Sequence, residues 1–84
     1  MVNAMVCQKE DVMPFVQINV PAGSLDADHK RDMIAKVTDA VVAAEGIEAV
    51  RRNTWVQIVE VPDGGWGMAG HAITLEQMRA ALRP

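Results

Sequence analysis

The alternation Phe15-Val16-Gln17-Ile18-Asn19-Val20 predicts a first strand. Val16, Ile18 and Val20 fall on one side and Phe15, Gln17 and Asn19 on the other, the two-residue period of a pleated chain. Pro21-Ala22-Gly23 is a turn signal that ends it. Beyond the turn, Met33, Ile34, Val37, Ala40, Val41 and Ala44 recur at helical spacing and predict one apolar helix face. Asp26 or Ser24 can cap that helix, and Asp28 suits the positive end of its dipole. Lys30, Arg31, Asp32, Lys36 and Asp39 lie mostly off the apolar face, and Gly46 after Glu45 supplies a left-handed cap.

A short connection, 47–53, carries Arg51-Arg52 into a second predicted strand, Thr54 to Val61. Val56 and Ile58 share one side; Trp55, Gln57, Val59 and Val61 share the other, so both sides carry apolar surface. Pro62-Asp63-Gly64-Gly65 ends the strand, Trp66 to Ile73 is glycine-rich and suits a small hairpin, and Thr74-Leu75-Glu76-Gln77 has the form of a capping box opening a short helix to Leu82. Strand, helix and strand with such short connections imply a parallel pair with a right-handed crossover. One helix covers one face of such a pair. The face with Trp55, Val59 and Val61 has no intrachain cover, and parallel sheets are seldom left bare. A second subunit is therefore expected on it.

Composition narrows the function. The chain has 84 residues, enough for one small domain with little core of its own, which also points to a homo-oligomer. A net charge of −3 and a pI near 5.2 argue against a nucleic-acid surface. Cys7 is the single cysteine, so no disulfide framework exists and a reducing cytoplasm is expected. No stretch has the length of a transmembrane span or the form of a signal peptide, and no membrane partner is expected. His29 and His71 have no metal-ligand spacing with each other or with Cys7, so neither metal nor cofactor is expected.

The stretch Met13-Pro14 is open to two interpretations. Proline at the first position of a strand is sterically ordinary, because no ladder donor is needed there. Alternatively Met13 is the working start, and its removal leaves Pro14 with a free secondary amine. Desolvated in a pocket, that amine would have a lowered pKa and serve as a general base near neutral pH. While residue 13 stays attached, the Pro14 nitrogen is an amide and is no base. Residues 1–13 then read as an N-terminal extension and 14–84 as the domain.

Along most of its length the chain resembles the tautomerase superfamily, in its short 4-oxalocrotonate-tautomerase-like form. The matching residues are Pro14-Phe15-Val16, Gly23 before a helix, Val37-Thr38-Asp39-Ala40-Val41, Glu45-Gly46, Thr54-Trp55-Val56, Glu60-Val61 and Gly65-Trp66-Gly67. Their order and spacing carry the likeness. It implies an α+β fold: a β-α-β unit of a parallel strand pair and one long helix, followed by a short C-terminal hairpin and helix. It further implies assembly as dimers and trimers of dimers, so a homohexamer is expected. It implies a cofactor-independent tautomerase in which Pro14, once N-terminal, moves a proton in a small 2-oxo acid or its enol, and in which an aromatic residue at Trp66 lines the site. Better-known members hold the substrate carboxylate with arginines after strand one and at the start of strand two. Those places here hold Ser24 or Leu25, and Trp55.

Arg51 and Arg52 are the cations near the pocket-forming segments, and arginine suits bidentate carboxylate binding. A solvated polar loop explains them as well. The expected substrate-binding set is therefore Arg51, Arg52, Trp55 and Trp66 around a small carboxylate-bearing substrate, with Pro14 catalytic. Gly65-Trp66-Gly67-Met68-Ala69-Gly70 matches G-x-G-x-x-G formally, but the chain ends before a third strand could supply a ribose-binding acid, so a dinucleotide site is rejected. Glu60 within an apolar strand needs partners. It is either an interface acceptor or a second catalytic acid or base. Two alternatives to the tautomerase stay open: a hydratase or dehalogenase acting on unsaturated acids, with Glu60 activating water, and a non-catalytic oligomeric module if residues 1–13 remain attached.

Overall fold

The computed structural model of the protein describes residues 13–83. The expected extension, apart from Met13, and Cys7 with it, lies outside them. The elements are β1 (Phe15–Pro21), α1 (Ala27–Glu45), a 3₁₀ segment (Glu48–Asn53), β2 (Trp55–Val61), a hairpin of β3 (Gly67–Met68) and β4 (His71–Ala72), and α2 (Leu75–Leu82). β1 and β2 pair in parallel, from Phe15 opposite Trp55 to Pro21 opposite Val61. The pairing extends past the strands at both ends. Trp55 N donates to Pro14 O at 2.9 Å, and Ala22 N donates to Val61 O at 2.9 Å.

The helix is set by its ends. Asp26 is the N-cap, its Oδ1 accepting from His29 N at 2.8 Å, and Gly46 closes the helix at φ 77°, where its N–H reaches Val42 O. A residue with a Cβ would be strained at that φ. α1 lies over the face of the sheet formed by Val16, Ile18, Val20, Val56 and Ile58, which are half-buried. Its contact strip differs from the predicted one. Lys30, Met33, Val37 and Val41 are half-buried and Val42 is buried, whereas Ile34, Ala40 and Ala44 are exposed. A helix on two strands meets a narrow ridge of sheet, so only one row of the broad apolar face is covered. Among the described residues only Val42 and Val50 are buried, at 6% and 3% exposed. This is a very thin core for a domain of this size.

The other face of the sheet is open at one end. Phe15 and Trp55 stand side by side across the pair, 60% and 62% exposed, and Gln17 and Gln57 beside them are exposed too. At the far end Val59 and Val61 are half-buried, because the turn after β2 folds back there. Trp66 Nε1 donates to Val61 O at 3.0 Å.

The predicted hairpin forms, and Ala69 and Gly70 make its tight turn at φ 54° and 83°. Both central residues left-handed is the primed turn that suits two-residue hairpins. Ala69 adopts it at a steric cost that glycine would avoid, of roughly 1–2 kcal/mol. α2 opens with the predicted capping box, Gln77 N to Thr74 Oγ1 at 3.1 Å and Thr74 N to Gln77 Oε1 at 2.9 Å. Asp63 Oδ1 accepts from Leu75 N at 2.8 Å, tying the start of α2 to the turn after β2. Trp66, Gly67, Met68, Ile73 and Met78 line an apolar groove of about 340 Å³ between hairpin and helix. None of the described helices is long and apolar enough to cross a membrane.

Candidate active site

Pro14 stands half-buried at the head of β1, with its carbonyl held by Trp55 N. Its ring nitrogen carries no hydrogen in the chain and so takes no part in the ladder. The parallel register places the Phe15 and Trp55 side chains on one face immediately beside it. Pro14 thus lies one residue before the exposed Phe15–Trp55 pair at the N-terminal edge of the sheet.

The 3₁₀ segment delivers the two arginines to the same edge, since Asn53 and Thr54 lead straight into Trp55. The arginines are not equivalent. Arg51 Nε donates to Glu48 Oε2 at 2.6 Å and its Nη1 to Asp39 Oδ1 at 2.7 Å. Those hydrogen bonds, Glu48's first and Asp39's second, hold its guanidinium in the charged form even more firmly than usual. Arg51 therefore staples the 3₁₀ segment to α1, and its charge is already balanced. Arg52 has no ion pair among the described residues. A shallow depression of about 350 Å³ lies between Glu48, Ala49, Arg51 and Arg52.

Trp66 is not near this edge. Its indole is fixed to Val61 O at the opposite end of β2. Six residue steps lead from Trp55 to Val61, about 20 Å at the ordinary rise per residue. One protomer thus carries Pro14 and Trp55 at the starts of the paired strands, the two arginines in the segment leading into β2, and Trp66 beyond the other end of that strand.

The opposite edge has a polar framework of its own. Glu60 shares the helix-covered side of β2 and reaches Lys30 Nζ at 2.7 Å through Oε2, while its Oε1 accepts from Gly23 N at 3.3 Å. The Lys30 hydrogen bond first, and the Gly23 N–H second, lower its pKa below the ordinary 4.5. Both of its oxygens are engaged in joining β2, α1 and the turn after β1, which is a structural use of the carboxylate. Gly23 O in turn accepts from Arg79 Nη2 at 3.1 Å. These partners lie 30, 37 and 56 residues apart, and no local sequence signal marks them. Among the described residues no group of three His, Cys, Asp or Glu side chains is placed to hold a metal ion.

The family model described as Tautomerase enzyme matches residues 14–76, beginning at the proline that heads β1. The chain belongs to the tautomerase family. The tautomerase fold is what the structure displays: a parallel β-α-β unit with a short C-terminal hairpin and helix. The 2-hydroxymuconate tautomerase of Pseudomonas putida is 41% identical over 58 residues, 69% of this chain and 87% of that protein. The 2-hydroxymuconate tautomerase of Comamonas testosteroni is 38% identical over 58 residues, with the same coverage of 69% and 87%. A protein of Dickeya dadantii (strain 3937) named as a probable tautomerase is 33% identical over 69 residues, 82% of this chain and all of that one. No solved structure matches. As a tautomerase the protein is an isomerase enzyme.

The Glu60 contacts predict an acid-side loss of stability. A carboxylate whose pKa is lowered on folding stabilises above its unfolded value and ceases to do so as pH falls through the folded one. The melting temperature should therefore drop as pH is lowered from about 4.5, and Glu60→Gln should flatten part of that slope. Superimposable pH profiles for parent and Glu60→Gln would show that the Lys30 and Gly23 contacts contribute nothing.

Proposed function

We propose that this tautomerase moves a proton within a small 2-oxo acid or its enol, with Pro14 as general base once it is the N-terminal residue. The observation that carries this is the placement of Pro14. It heads β1 opposite the start of β2, beside the Phe15–Trp55 pair, and the segment leading into β2 carries Arg52, which has no ion pair among the described residues. The family match that begins at residue 14 supports the same assignment, and the relatives named for 2-hydroxymuconate support an unsaturated hydroxy acid as the substrate type.

With Met13 in place the ring nitrogen shares its lone pair with a carbonyl and accepts no proton. Removal of Met13 gives a secondary amine, and the apolar rings beside it disfavour the charged form. That amine takes the proton from the enol oxygen or the α-carbon, and the resulting ammonium returns it at another carbon of the conjugated system. The net change is an isomerisation with no redox partner. Arg52 holds the substrate carboxylate, because the charge of Arg51 is already matched by Glu48 and Asp39. Trp55 walls the pocket beside Pro14.

The active form is a homo-oligomer, a hexamer on the family's pattern. Two surfaces support this: the open sheet face carrying Phe15 and Trp55, and the apolar groove along the C-terminal hairpin. Trp66, about 20 Å from Pro14 along the strand, completes a pocket only when it is supplied by another copy.

A chain starting at Pro14 should outpace the 84-residue chain on an aryl pyruvate enol by at least about a hundredfold, the scale of general-base catalysis. Its rate should rise with pH through one basic group, and Pro14→Ala should weaken it. Equal rates, after mass spectrometry confirms both termini, would remove Pro14 from the mechanism.

Arg52→Ala should cost about 1.5–3 kcal/mol in kcat/KM on a carboxylate substrate, the scale of a charged hydrogen bond. Arg51→Ala should act mainly on thermal stability. Unchanged kinetics in Arg52→Ala would refute its role. Sedimentation should show an oligomer at micromolar concentration, because burying side chains such as Phe15 and Trp55 stabilises by roughly 1.5–3 kcal/mol each. A folded monomer there would overturn the assembly.

A further inference from the structure

The chain enters the domain beside its most open surface. Met13 is 51% exposed, and the Phe15–Trp55 pair that follows it is 60% and 62% exposed. Gln17 and Gln57, the next pair on that face, are exposed and uncharged. Arg52 is exposed as well and has no ion pair among the described residues, whereas Arg51 is held by Glu48 and Asp39. Three residue steps lead from Arg52 to Trp55, at most about 11 Å of chain.

Residues 1–12 lie outside the described residues, and their sequence complements both features. Met1, Val2, Ala4, Met5, Val6 and Cys7 make the first seven positions apolar except for Asn3. Gln8-Lys9-Glu10-Asp11 follows, and Val12 and Met13 complete the link to Pro14. Glu10 and Asp11 are the acids nearest in sequence to the head of β1. They stand three and two residues from Met13, again at most about 11 Å of chain. Seven extended residues span about 23 Å, and β1 itself has seven. The apolar run is thus long enough to return across the aromatic pair while the acids stay near Arg52. Tethering gives such a segment an effective concentration of millimolar order, far above that of a second copy at micromolar concentration.

We propose that residues 1–12 act as an intramolecular strap, with the apolar run 1–7 docked on the Phe15–Trp55 pair and Glu10 and Asp11 on the guanidinium of Arg52. Burial of the apolar run drives the docking, and the charged contact sets its place. The strap puts a carboxylate of the chain where the substrate carboxylate is proposed to bind. It also covers the face through which copies are proposed to join. Its effect on catalysis and assembly rests on the function proposed above; the docking itself does not.

The test uses the 84-residue chain carrying Trp66→Phe, which leaves Trp55 as its single tryptophan. Acrylamide should quench Trp55 far less than it quenches free tryptophan amide, and dilution through the micromolar range should not change this. Glu10→Gln with Asp11→Asn, and separately Arg52→Ala, should raise the population with Trp55 uncovered about twofold to fivefold, the scale of an exposed ion pair. All three substitutions together should do no more than either set alone. Val2→Ser with Val6→Ser should raise that population roughly tenfold. Should Arg52→Ala lose the parent's far-ultraviolet circular dichroism, the strap variants decide, since their domain residues are unchanged. An indole already open to acrylamide in the parent would overturn the strap. So would shielding that fades on dilution, which assigns the face to another copy, and so would shielding that none of these substitutions alters. No turnover enters these readings, so a failure of Pro14 as the base leaves them standing.

Discussion

The rest of the structure depends on the pairing of two parallel strands under a single helix. Parallel strands need a crossover, and α1 supplies it, so pairing and cover come from one connection. But a single helix covers one face. Among the described residues Val42 and Val50 are the only buried apolar side chains, and the apolar residues of the sheet are half-buried or open. The domain folds locally and leaves its tertiary burial unfinished. That incompleteness accounts for the exposed Phe15 and Trp55 and for the open groove beside Met68.

Charged contacts take over where apolar packing is thin. Arg51 holds the 3₁₀ segment to α1 through Asp39, and Glu60 joins β2, α1 and the turn after β1 through Lys30 and Gly23 N. These pairs are partly or largely exposed, and each such pair is a weak contributor to stability. Their effect is positional: Arg51 is committed to the framework, and Arg52 beside it has no ion pair among the described residues. Among the described residues Arg52 and Arg79 are the two arginines that the framework leaves without an ion pair.

Most of the fold was legible because its signals are local. A period of two marked both strands to within a residue: β1 runs on through Pro21, and β2 begins at Trp55 rather than Thr54. Asp26, Gly46 and the Thr74–Gln77 box fixed the helix ends by hydrogen bonds that span a single turn. The helix face was less legible. Its apolar stripe is wider than the two strands it covers, so Ile34, Ala40 and Ala44 satisfy the periodicity and still face solvent. Lys30 belonged by type to the solvated face, and the distant Glu60 draws it toward the sheet.

The site was legible only in part, for the same reason. Pro14 and Trp55 are neighbours through strand register, and alternation plus a parallel pairing brings them together on paper. That Arg51 and Arg52 differ follows from Asp39, twelve residues away on another element, and no pattern around Arg51-Arg52 reveals it. Nor does the sequence show that Trp66 and Pro14 occupy opposite ends of one sheet, because the length of β2 matters only once its direction is known. A parallel pair keeps both strand starts at one edge and both strand ends at the other. The base candidate belongs to the first edge, and Trp66 to the second. A chemistry that needs both edges requires a partner in reverse orientation, whose second edge lies against the first edge of its neighbour. The half-covered sheet that leaves this domain short of core is thus the same feature that, in the proposed assembly, would let two copies share one pocket.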